Sequence, residues 1–203
     1  MLNRPGFPPN PPADRVDFEE HAEWLREQVR PGDHLVGHSY GGVVSLVAAG
    51  RGLDLRSLTV VEPPAFGLAR GNAAADAFDA EARAWWRDGP REPRAFLAGF
   101  LERVGSAVRL PDPLPPALDQ GARTLMVERP PSEARPDLAA IAAAPYAKLV
   151  VSGAHSAAFD AVCDVLEREL AAERAVLPGA GHSVPRAPGF NERLEAFLSR
   201  NDG

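Results

Sequence analysis

His34-Leu35-Val36-Gly37-His38-Ser39-Tyr40-Gly41-Gly42-Val43-Val44-Ser45-Leu46-Val47-Ala48-Ala49 is the stretch from which the rest of the chain is read. Residues 34–38 form a short run without polar alternation, which predicts a strand buried on both faces, as in a parallel sheet. A turn follows at Ser39. Residues 41–49 then read as an apolar helix, stopped by Gly50-Arg51-Gly52. Within this strand–turn–helix, Gly37-His38-Ser39-Tyr40-Gly41 has the spacing Gly-x-Ser-x-Gly. A turn this sharp calls for small residues two before and two after the serine. It projects the hydroxyl from the carboxyl end of the sheet, and the backbone N–H of Tyr40 then faces a developing oxyanion at the helix N-terminus. The pentapeptide alone is common in glycine-rich turns; the flanking strand and helix give it weight.

Outward from this point, the same rhythm recurs. Upstream, Asp17 is the expected N-cap of a helix, with Glu20 as its reciprocal capping partner. Phe18, Ala22, Leu25 and Val29 share one face of that helix, and Pro31-Gly32 ends it. Downstream, residues 57–61, 148–152 and 175–177 are short apolar strands. Helices are expected after the second of these and, at the C-terminal end from Phe190, after the third. Strands alternating with helices imply an α/β fold with a parallel sheet of about four strands. Residues 68–144 break the rhythm with alanine-rich helices and Pro/Gly separators. The expected organisation is a core of residues 1–67 and 145–203 with a helical insertion at 68–144.

A serine hydroxyl needs a base to act as a nucleophile. Of five histidines, His21 reads as solvated surface, His34 begins a strand, His38 is a packing residue of the turn, and His155 is a weak candidate. His182, in Pro178-Gly179-Ala180-Gly181-His182, follows the last strand and precedes the last helix. That topology puts it at the same sheet edge as Ser39.

Gly-His-Ser-Tyr-Gly-Gly at 37–42, Val-Glu-Pro-Pro at 61–64 and Pro-Gly-Ala-Gly-His at 178–182 together resemble the α/β-hydrolase family. The resemblance implies Ser39 as nucleophile, His182 as base, the Tyr40 N–H in the oxyanion hole, and residues 68–144 as a cap over the site. Two departures stand out. The family often carries an aspartate shortly after the third strand recognised here, where this chain has Ser156. Glu62, at the end of the second strand, is the favoured replacement. Asp160 is the alternative, and a Ser–His dyad without a carboxylate is a third arrangement. The family also has strands before the turn, and a loop there gives a second oxyanion N–H, which this sequence does not contain. Loss of one such donor costs about 2.7–4 kcal/mol of transition-state stabilisation. The strand at 34–38 becomes an edge, with self-association into a homodimer as the expected consequence. A gene start placed too far downstream would equally account for the missing strands.

Composition narrows the function further. A net charge of −6 argues against nucleic-acid binding. No apolar run approaches a membrane span, and the start of the chain has no signal-peptide core, so a cytoplasmic protein is expected. A single cysteine, Cys163, excludes an intramolecular disulfide and a cysteine-clustered metal site. No cofactor and no metal are expected. Phe78, Trp85, Trp86, Phe96, Phe100, Leu101 and Met126 suggest an apolar pocket under the insertion. The expectation is a serine hydrolase for a small, hydrophobic ester, thioester or amide substrate. The alternative is a catalytically weak or inactive hydrolase-like binding protein.

Overall fold

The computed structural model describes residues 2–202. Among them, β1 (Asp33–His38), β2 (Leu55–Val61), β3 (Ala147–Ser152) and β4 (Glu173–Val176) lie side by side in chain order, each pair parallel. Parallel neighbours require crossovers, and helices supply them. α1 (Phe18–Gln28) leads into β1, and α2 (Tyr40–Gly50) joins β1 to β2. Between β2 and β3 run α3 (Ala73–Asp88), α4 (Pro93–Arg103), α5 (Pro116–Met126) and α6 (Leu138–Ala143). α7 (Ala157–Leu170) joins β3 to β4, and α8 (Phe190–Arg200) follows the last strand. The structure is an α/β-hydrolase-like sheet of four described strands. None of the described helices is long and apolar enough to cross a membrane.

The two faces of the sheet are covered unequally. Leu35, Leu58, Val60 and Val150 join the larger core with α1, α2, α6 and α7. Val61, Leu149, Val151 and Ala175 face the other way and pack with Phe190 and Phe197 of α8. β2 and β3 are therefore buried on both sides, which explains their unbroken apolar runs. β1 departs from the expected two-sided burial. Val36 pairs with Thr59 on the face that carries α8, at the outer edge of the sheet, and is 41% exposed. An edge strand beyond the reach of that one helix keeps only its Leu35 and Gly37 side buried.

At the start of α1, Asp17 accepts from the Glu19 N–H at 2.9 Å. The reciprocal cap from Glu20 does not form, because Glu20 pairs with Arg15 instead. β4 starts two residues earlier than its apolar core, at Glu173, whose carboxylate pairs with Arg193 and Arg200 of α8. The Pro-rich start has neither helix nor ladder, as expected, though Met1 lies outside the described residues. α5 fastens it: the Thr124 hydroxyl donates to the Gly6 carbonyl at 2.7 Å, and the Gln120 amide donates to the carbonyls of Gly6 and Asn10. Arg4 in this segment pairs with the buried Glu128 at 2.7 Å and lies over the rings of Phe7 and Tyr40. Its neighbour His21 is consequently buried, not solvated. Burial, then the adjacent Arg4 charge, lowers the His21 pKa to about 4.

Candidate active site

The β1–β2 register builds the site. His38 pairs with Val61, so the next residues, Ser39 and Glu62, emerge side by side at the carboxyl edge of the sheet. The Ser39 N–H donates to the Val61 carbonyl at 2.9 Å, and the Glu62 N–H donates to Val151 at 3.0 Å. Both residues then leave the ladder with positive φ, 54° at Ser39 and 43° at Glu62. Such conformations cost a non-glycine residue about 1–3 kcal/mol, and persist only where the surroundings over-determine them. At Ser39 the surroundings are glycines. A Cβ at Gly37 would sit 2.4 Å from Ser45 Oγ and 2.6 Å from the Gly41 carbonyl. The expected partner position behaves differently: a Cβ at Gly41 would meet nothing within 4 Å, whereas one at Gly42 would press on the Gly37 carbonyl and Pro63 at 3.1 Å. The tight approach is between Gly37 and Gly42.

His182 arrives from the loop after β4 and completes a chain of hydrogen bonds. Its Nδ1 is 2.8 Å from Glu62 Oε2, and its Nε2 is 2.8 Å from Ser39 Oγ. A carboxylate only accepts, so Nδ1–H donates to it and the free Nε2 lone pair accepts the serine O–H. Glu62 is fully buried, and its Oε1 accepts the Gly153 N–H at 2.6 Å. A side chain at Gly153 would collide with the Gly181 carbonyl at 2.7 Å, so glycine at 153 lets the β3 and β4 loops close over the carboxylate. His38 holds His182 from the other side: its Nε2–H donates to the His182 carbonyl at 2.8 Å. Burial first, then the neighbouring His182, lowers the His38 pKa to about 4, so it stays neutral near pH 7. The ring of Phe159 packs against His182 with centroids 4.6 Å apart.

The structure thus brings Ser39, His182 and Glu62 together and leaves the alternative acid elsewhere. Asp160, one turn into α7, lies 3.5 Å from Arg174 Nη2. Tyr40 opens α2, where the first N–H groups have no intrahelical acceptor, so its N–H is free for an oxyanion. Its ring packs on Phe18, and its hydroxyl donates to the Arg129 carbonyl at 3.3 Å.

His155 is the residue that sequence reasoning undervalued. Its Nδ1 lies 3.2 Å from Glu62 Oε1, so the carboxylate faces two imidazoles. The signal was its position just past β3, the strand next to β2. Nitrogen and oxygen donors of Glu62, His155 and His182 all lie within 4.8 Å of one another, a set of ligands a metal ion could use.

A cleft of about 930 Å³ opens onto Ser39 and His182. α3, α4 and α5 contribute Phe78, Trp86, Leu97, Phe100, Leu118 and Leu125 to its wall. Its charged lining is internally paired: Arg4 with Glu128, Arg83 with Asp79, and Arg103 with Glu81. The cleft continues past Ser39 along β1 to Val36, Trp24 and Leu2. Trp85 and Phe96 stack on each other, with Phe96 buried, so these two serve packing within the helical segment.

Comparison with known proteins agrees with this architecture. A model described as the alpha/beta hydrolase family matches residues 1–191. The protein named "Probable lysophospholipase BODYGUARD 5" from Arabidopsis thaliana is 31% identical over 116 residues, covering 52% of this chain and 25% of that protein. The chain thus corresponds to a minor part of that relative. MenH from S. aureus superposes with a TM-score of 0.67 at 15% identity, over 100% of this chain and 83% of that one. A thermophilic esterase from Thermogutta terrifontis gives 0.62 at 18% identity, over 99% and 79%. At these identities the superpositions speak for the fold.

Proposed function

The chain belongs to the alpha/beta hydrolase family, and from that premise we propose that it is a serine hydrolase for small esters, thioesters or amides with an apolar acyl group. The observation that carries this reading is the chain of two 2.8 Å hydrogen bonds from Ser39 through His182 to Glu62. Ser39 Oγ attacks the carbonyl carbon while His182 Nε2 takes its proton. Glu62 stabilises the imidazolium and fixes its tautomer. The Tyr40 N–H receives the oxyanion. The tetrahedral intermediate collapses, His182 returns the proton to the leaving group, and water, deprotonated by His182, then releases the acid from Ser39. The apolar wall and the mutually paired charges favour a hydrophobic acyl chain and offer no unpaired cation cluster to a phosphate group. α3 to α6 act as the cap in this reading, and the protein is cytoplasmic.

Hydrolysis of p-nitrophenyl esters of increasing acyl length tests the proposal. The expected result is a kcat/KM that rises with chain length and is lost in Ser39→Ala. Equal rates for the wild type and Ser39→Ala on every ester would overturn it. A second reading, a binding protein of weak or no activity, draws on the cleft's extension along the exposed β1 edge. It requires retention of hydrophobic esters without their turnover. The same edge, with Val36 exposed, supports a homodimer, which sedimentation at several concentrations would detect.

A further inference from the structure

Glu62, the deepest group of the site, faces one more imidazole than acyl transfer uses. His155 Nδ1 stands 3.2 Å from Glu62 Oε1, but not in hydrogen-bonding geometry: both ring nitrogens of His155 are buried and have no hydrogen-bond partner. On the other oxygen, His182 Nδ1 stands at 2.8 Å. Two imidazole nitrogens and a carboxylate thus converge from three loops, with all donor atoms within 4.8 Å of one another. Tight packing fixes the arrangement. A Cβ at Gly105 would meet the His155 ring at 2.9 Å, and Gly153 sits 3.2 Å from the carboxylate by the same measure.

We propose that Glu62, His155 and His182 form an inhibitory site for a divalent transition-metal ion of the zinc class. Two nitrogen donors and one carboxylate are a zinc-type set, with water as the fourth ligand; calcium and magnesium prefer oxygen cages. Tetrahedral bonds of about 2.0–2.2 Å put donors about 3.3–3.6 Å apart. The separations to Glu62, 3.2 Å to Oε1 from His155 and 2.8 Å to Oε2 from His182, fall short of this by less than an ångström, and the two imidazoles, within 4.8 Å of each other, would close onto the ion. Zinc on His182 Nδ1 takes the lone pair that the Nδ1 proton occupies. The neutral ring keeps one proton, which moves to Nε2, and Nε2–H no longer accepts the Ser39 proton. The metal thereby switches off the base by inverting its tautomer. The substrate cleft is lined by His182 and Ser39 but by neither Glu62 nor His155, so the ion does not occupy substrate space.

The binding half of this inference stands on the donor geometry; the inhibitory half rests on the serine-hydrolase reading. The test titrates metal-free protein with zinc chloride, read by calorimetry and native mass spectrometry and, in parallel, by p-nitrophenyl ester turnover. One ion per chain is expected, with kcat falling, KM unchanged and full recovery on adding EDTA. His155→Ala and His155→Gln weaken zinc binding by about tenfold or more. Each loses zinc inhibition relative to its own metal-free rate, whereas His34→Ala, at a histidine remote from the cluster, keeps both. Gln at 155 preserves size and polarity, so a folded variant is available if Ala is not tolerated. Zinc binding that is absent in the wild type, or unchanged in both His155 variants, overturns the site. Binding that depends on His155 but raises KM and leaves kcat unchanged overturns the tautomer mechanism. Binding that depends on His155 in a protein without any esterase activity supports the metal site and removes the hydrolase reading instead.

Discussion

The proposed nucleophile end and acid end of the site are built in different ways. Ser39 is positioned by a contiguous segment: a strand, a glycine-lined turn and the helix α2. Glu62 is positioned by distant ones: the Val151 carbonyl, the Gly153 N–H and His182 come from after or within β3 and from after β4. Both residues have a positive φ, 54° and 43°. One is held by local sterics and the other by a buried hydrogen-bond set. Substitutions should therefore act locally on stability at the first end and on chemistry at the second.

The largest expected effect is at the acid end. Glu62→Gln keeps the shape but offers His182 a partner that need not select the Nδ1–H tautomer, and kcat should fall by about 10⁴-fold. Asp160→Asn should leave kcat within about twofold, because Asp160 faces Arg174. Steady-state kinetics on a p-nitrophenyl ester decides, and a larger loss in Asp160→Asn than in Glu62→Gln would reverse the assignment of the acid. At the nucleophile end, Gly37→Ala forces a methyl into the Gly41 carbonyl and should destabilise the fold by about 1–3 kcal/mol. Gly41→Ala meets nothing within 4 Å and should be neutral, or up to about 1 kcal/mol more stable as a helical alanine. Urea unfolding of the two variants separates them; equal losses would show that the turn is not governed by the Gly37–Gly42 approach.

The remaining effect, confined to acid pH, lies behind the turn, at His21. Its folded-state pKa of about 4 is below the ordinary 6.5. Between these values the unfolded chain takes up a proton that the folded chain refuses. Stability is then flat above about pH 6.5 and declines as pH falls toward 4, by at most about 1.4 kcal/mol per pH unit. His21→Leu should remove that part of the slope in urea unfolding at pH 7.5 and 5. An unchanged slope would contradict the neutral, buried state of His21.

The same division explains what could be read from the amino acids. The strands, helices and serine turn follow from local patterns: apolar runs of strand length, 3.6-residue periodicity, and glycines bracketing Ser39. Glu62 was reachable through the resemblance to the family, which implies an acid where this chain has Ser156 and tolerates one at the end of β2, where Glu62 stands. His155 was not, because its meeting with Glu62 depends on the β2–β3 register and on close loop packing around Gly105 and Gly153. His21 was misplaced for a similar reason. Its polar helix face is covered by the segment that Gln120 and Thr124 fasten from about a hundred residues away. Val36 shows the converse: an apolar run predicted two-sided burial, and the edge position of β1 left one side open.

The most direct test of the central claim, that His182 and Glu62 activate Ser39, is fluorophosphonate labelling of the folded protein, with the adduct located by mass spectrometry. A single adduct on Ser39, absent in Ser39→Ala and slowed by orders of magnitude in His182→Ala, is the predicted result. Folded wild-type protein that stays unlabelled, or that is labelled at the same rate without His182, would contradict it.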